Sequence, residues 1–195
     1  METQSLRFNR SLAAVLAALY LLTITAFSVF GLAADPSHPP LWETLLNALI
    51  VSIPLVLLYG SIYVLVTAWR QHAAGQPLAP RLAQVIHWAP RAAAITISLF
   101  LGLFSLDVFD NPETTLLEEL GGFVIHSLPS IALLALLAIA WKRPAVGFWA
   151  FLVAAVLLAA ISLPAGAFAI ANLLLFVLPA LMVAGLFYVD WKWVR

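Results

Sequence analysis

The chain has 195 residues, 64% of them hydrophobic and 9% charged, with a mean hydropathy of +1.06. Soluble domains carry about 25% charged residues, so this composition excludes an ordinary soluble fold and predicts an all-α membrane protein. The formal net charge of zero says little, because position and not sum governs a membrane chain. The absence of cysteine excludes disulfides, thiolate metal sites and nucleophilic thiols.

A membrane-spanning helix needs about 20 apolar residues. Ser11 to Gly31 carries no charge and forms the first span; Arg7 and Arg10 ahead of it and Gly31-Leu32-Ala33 behind it also fit a signal peptide, but the run is too long for an h-region, which favours an anchor. Thr44 to Trp69 forms the second span. Ala92 to Leu106 is short, about 22 Å of helix, so the third span must extend from Trp88 to Phe109 and draw Asp107 inside the boundary. The fourth runs from Leu120 to Trp141. From Pro144 to Val189 no charge occurs, and the helix would measure about 69 Å if straight, so this stretch folds back at Leu163-Pro164-Ala165-Gly166. The spans are therefore about 11–31, 44–69, 88–109, 120–141, 145–163 and 167–189, in a single membrane domain.

Six crossings from an inside N-terminus place all nine Lys and Arg on one face and seven of the nine acids on the other. This positive-inside asymmetry predicts a multi-pass membrane protein with both termini cytoplasmic. Outside, the first loop holds Asp35 and His38. Inside, Gln71 to Ala89 contains Leu82, Val85, Ile86 and Ala89 at helical spacing. Two readings stay open there: a short interfacial helix, or a third span that starts early and kinks at Pro90. His38, His72 and His87 are expected to be solvated.

The chain also resembles itself. Phe27-Ser28, Glu43, Ser52-x-Pro54 and Ala68-Trp69-Arg70 recur in order as Phe104-Ser105, Glu118, Ser127-x-Pro129 and Ala140-Trp141-Lys142, which relates residues 27–70 to 104–142. A weaker third copy runs from Leu178-Pro179 to Trp191-Lys192. Three tandem helical hairpins of like orientation are expected, a parallel repeat. Trp69, Trp141 and Trp191, each followed by a cation, are interface anchors. Pro54, Pro129 and Pro179 fall near mid-membrane, remove backbone donors and are candidate hinges.

From about Arg81 to the C-terminus the chain resembles a family of small prokaryotic multi-spanning membrane proteins that carry a domain of unknown function. The resemblance rests on Leu106-Asp107-Val108-Phe109, Glu118, His126-Ser127-Leu128-Pro129-Ser130 and Ala140-Trp141-Lys142, and on the closing Leu178-Pro179 to Trp191-Lys192-Trp193. Relative to that family the chain is extended by an N-terminal hairpin. The resemblance implies a fold and a location, a prokaryotic inner or plasma membrane, but no activity.

One constellation fits chemistry: Asp107 at the outer end of span three, with Glu118, Glu119 and His126 on span four. Glu119 and His126 share a helix face, and Gly122 between them leaves a notch for water, a cation or Asp107. Ionisable groups at that depth are functional candidates by default, and a carboxylate beside an imidazole offers proton relay or metal ligation; structural pairing of Asp107 with His126 is the competing reading. The inner half of the bundle is expected to hold no ionisable residue.

Phosphate-binding glycine loops, paired-His metal motifs and nucleophile elbows are not found, so no catalytic residue, metal or cofactor is assigned. Short inner loops with few charges give nucleic-acid binding no support. The expected partner is the lipid bilayer, with a membrane-protein partner or homo-oligomer left open. A non-enzymatic membrane module, accessory subunit or small-ligand binder fits best; a transporter or channel for a cation, proton or small solute is the alternative.

Overall fold

A computed structural model describes residues 10–34, 39–110 and 115–194. Of the residues named above, Arg7, Asp35 and His38 lie outside this set. The described residues are helical throughout apart from short connections, and six helices are long and apolar enough to cross a membrane.

α1 spans Arg10–Ala34 and α2 spans Leu41–Ala73. α3 spans Pro80–Leu103, and a 3₁₀ segment, Phe104–Asp110, continues it. α4 spans Leu116–Ala140, α5 spans Pro144–Ser162, and α6 is the last apolar helix, Ala169–Val194. Proline opens α3 and α5 at the first helical turn, where its missing N–H costs nothing. Between α5 and α6 the chain breaks direction at Gly166 (φ 60°, ψ −124°), a conformation that only glycine adopts without strain.

Of the two readings of residues 82–89, the early start is the one found. α3 begins at Pro80 and passes through Pro90 without a break. Half of its apolar stripe turns inward: Leu82 and Ile86 are buried with Ala68 of α2 and Val189 of α6, whereas Val85 is exposed.

Helices adjacent in sequence pack as hairpins, α1 on α2, α3 on α4 and α5 on α6. α6 also packs on α2 and α3, so α2 to α6 close a ring crossed by the α3–α6 contact, while α1 docks on α2 outside it. Thr23 and the Tyr59 hydroxyl share a 2.8 Å hydrogen bond across the α1–α2 seam, and Tyr20 meets Tyr59 edge-on. Lipid is as apolar as the helices themselves, so close approach and not hydrophobicity selects the contacts. Ala93, Ala94 and Ile97 of α3 meet Leu133 and Leu137 of α4, Phe151 and Ala155 of α5, and Ala180, Val183 and Phe187 of α6. At the α3–α4 crossing the Ser130 hydroxyl donates to the Ser98 carbonyl (2.7 Å), beside Gly102. At the α5–α6 crossing a β-carbon on Gly147 would stand 2.7 Å from the Phe187 ring, so the ring of α6 sits directly on the α5 backbone there.

Pro179 cannot donate to the carbonyl one turn before it. α6 answers by widening to a π-helix over Leu173–Val177, with the Leu178 N–H reaching the Leu173 carbonyl. A second π segment, Asp190–Val194, ends the helix. Pro54 and Pro179 are fully buried whereas Pro129 is exposed, so the three prolines occupy different surroundings.

Candidate functional site

One end of the bundle gathers the C-terminal ends of α2, α4 and α6 with the start of α3. Trp69 and His72 of α2 lie against Trp193 of α6, the His72 ring stacked on the indole at 4.3 Å. Trp88 of α3 meets Trp141 edge-on at 6.2 Å. Inside this aromatic collar sits a buried ion pair. Arg91 Nη1 donates to Asp190 Oδ2 at 3.0 Å, with the two side chains 1% and 0% exposed.

Each helix contributes for a local reason. Pro90 has no N–H for the Ile86 carbonyl one turn earlier in α3, and Arg91 Nη1 also donates back to the adjacent His87 carbonyl. Arg91 Nη2 donates to the Trp141 carbonyl at 2.9 Å, one of the orphan acceptors at the end of α4. The guanidinium carbon lies 6.0 Å from the Trp141 ring and 5.8 Å from that of Phe187, close enough for cation–π attraction. Arg91 Nε alone is buried without a partner. Asp190 stands where α6 opens into its second π segment, and its other oxygen faces His87 Nδ1 at 3.2 Å. The His87 side chain is 35% exposed, so it joins the buried carboxylate to the surroundings.

The expectation that this half of the bundle holds no ionisable residue therefore fails, and His87, expected to be solvated, is partly exposed while it also reaches the buried Asp190. Arg91 does not snorkel outward because Asp190 meets it inside, and desolvation of each charge is offset by the other. The signal was present in the sequence: Asp190 is an acid at the end of the last apolar run, on the face that otherwise collects cations.

The constellation at the other end of the bundle, Asp107, Glu118, Glu119 and His126, is arranged differently. Glu118 closes a capping box on α4: its carboxylate accepts from the Thr115 backbone N–H (2.9 Å) and the Thr115 hydroxyl (2.8 Å), and its own N–H reaches back to that hydroxyl. Glu119 is half-buried in the same first turn. Asp107, on the 3₁₀ segment, and His126 are both exposed, and no hydrogen bond or ion pair joins them. His126 Nδ1 instead lies 2.8 Å from the Gly122 carbonyl of its own helix. The Gly122 notch is occupied by Val108, whose methyl would lie 2.7 Å from a β-carbon there. The tight 3₁₀ winding of residues 104–110 turns Val108, and not its neighbour Asp107, toward α4. Among the described residues no group of three His, Cys, Asp or Glu is placed to hold a metal ion.

Of the anchors, Trp69 is 62% and Trp141 38% exposed, and Trp191 is half-buried with Lys192 Nζ 3.8 Å above its ring. No curated protein and no solved structure matches the chain. One family does, described as Domain of unknown function (DUF7670), over residues 79–195, which begins at the connection into α3 and takes in the ion pair but not the α1–α2 hairpin. Because that match covers more than half of the sequence, the chain belongs to this family of domains of unknown function.

Proposed function

We propose that the protein is a non-enzymatic membrane module, acting as an accessory subunit or small-ligand binder, in a prokaryotic inner or plasma membrane with both termini and the ion-pair end cytoplasmic. The distribution of buried charge carries this reading. The two buried charged side chains among the described residues, Arg91 and Asp190, lie together at one end. The middle of the ring is filled by alanine, leucine, isoleucine, valine and phenylalanine, and the buried hydroxyls of Ser98 and Ser130 are spent on helix carbonyls. A conducting path needs polar groups through the whole thickness.

The three-hairpin repeat belongs to the same proposal. Its support is the pairwise packing of α1 with α2, α3 with α4 and α5 with α6. In this reading the α1–α2 hairpin is a copy added to the family domain.

A second reading, a proton-coupled carrier, draws support from one observation: His87 is partly exposed and touches the buried Asp190, so a proton has a way into the bundle. Purified protein in sealed liposomes, with internal pH and potassium dyes, separates the two. The module reading expects ion flux no greater than in empty liposomes and recovery of a stoichiometric membrane partner or ligand from native membranes. Flux above background that is lost in His87→Asn would replace it with the carrier.

A further inference from the structure

The geometry points to a binding site for one anionic phospholipid at the corner between α4 and α5. α4 ends at Ala140, the chain turns through Trp141, Lys142 and Arg143, and Pro144 starts α5. Two backbone bonds fix that corner: the Arg143 N–H donates to the Ala140 carbonyl, and the Val146 N–H to the Arg143 carbonyl, both at 2.9 Å. Consecutive cationic side chains are thereby held on the exposed rim. Below them Ala138 and Ile139, the latter 58% exposed, form the apolar floor of an open crevice of about 510 Å³ with Trp141 as a wall.

This lining has the order of a phospholipid: charge at the rim, an amphipathic indole at headgroup level, and an apolar floor along the helix flank where an acyl chain runs. A soluble phosphate ester would engage the cations and leave Ile139 unserved. The rim also selects net negative charge over a zwitterion. Asp190, the described acid at this end, is withdrawn and held by Arg91, while Glu43, Asp107, Glu118 and Glu119 stand at the opposite ends of their helices.

The site adjoins the ion pair. The Trp141 carbonyl receives Arg91 Nη2, so a lipid seated against Trp141 touches the residue to which α3 is tethered.

The test is titration of the full-length protein with palmitoyl-oleoyl phosphatidylglycerol in detergent, bound lipid being counted by native mass spectrometry. Phosphatidylcholine and glycerol 3-phosphate serve as comparison ligands. The site predicts at least about tenfold preference for phosphatidylglycerol over phosphatidylcholine, and no displacement by equimolar glycerol 3-phosphate. One surface cation contributes about fivefold, so Lys142→Gln/Arg143→Gln weakens binding by about 25-fold. Arg70→Gln/Arg81→Gln, the same charge change elsewhere on this end, changes it less than about twofold. Equal loss in the two double variants, equal binding of both lipids, or displacement by glycerol 3-phosphate overturns the site. Because all four substituted residues are exposed, unchanged thermal unfolding is expected in both variants.

Discussion

Arg91 and Asp190 lie 99 residues apart in sequence and 3.0 Å apart in space, and both are withdrawn from the surface. Their contact ties the middle of α3 to the end of α6, and the second guanidinium nitrogen extends the tie to the end of α4 through the Trp141 carbonyl. One side chain thus registers α3 against the ends of α4 and α6.

That dependence on a forked donor makes Arg91→Lys a demanding conservative change. An ammonium reaches Asp190 but not the Trp141 carbonyl in the same geometry. We expect a loss of about 1–2 kcal/mol, the value of one charge-assisted hydrogen bond with its orphaned acceptor, read as a fall in thermal midpoint in micelles. A midpoint equal to wild type would show that the α4 tether carries no weight.

Gly147 gives a second prediction. The Phe187 ring, 0% exposed and stacked on Phe151 at 5.8 Å, has no room to yield to a new β-carbon. Gly147→Ala should destabilise by about 1–3 kcal/mol. Gly60, with open space at its β position, should accept alanine without loss. Denaturant unfolding of the two variants checks the contrast.

At the other end of α4, Thr115→Ala removes the reciprocal cap with Glu118 and should cost about 1 kcal/mol. The effect should be confined to faster amide exchange in the first turn. Asp107→Asn and His126→Asn should be additive in stability, because no hydrogen bond or ion pair joins the two residues; a coupling above about 0.5 kcal/mol would contradict this.

Orientation is tested by labelling. The chain contains no cysteine, so single cysteines at His72 and Glu113 are unique targets. An impermeant maleimide applied to intact cells should modify position 113 and spare position 72, as both termini inside requires. Modification of both from outside would contradict the six-span scheme.

The helices were legible because the spans are long, apolar and bounded by cations, signals that survive without tertiary information. The fold-back after α5 followed from length, and its place at Leu163 to Gly166 from the proline and glycine there. The site was not. From the sequence Arg91 reads as a boundary cation and Asp190 as a stray acid, and their meeting depends on which helices become neighbours across the ring. The outer constellation shows the converse error. Spacing puts Asp107, Glu119 and His126 within reach of each other, but the 3₁₀ turn after Leu103 decides which side chain faces α4, and Val108 is the one that does.

The most direct test of the account is a double-mutant cycle on the buried pair, with unfolding of the full chain in micelles as the readout. Asp190→Leu alone should cost about 3–5 kcal/mol, because it leaves the guanidinium buried without its counter-charge. Arg91→Met/Asp190→Leu should recover most of that loss. Single variants that unfold like wild type, or a double variant no better than the sum of the singles, would contradict the claim that this pair holds α3 and α6 together.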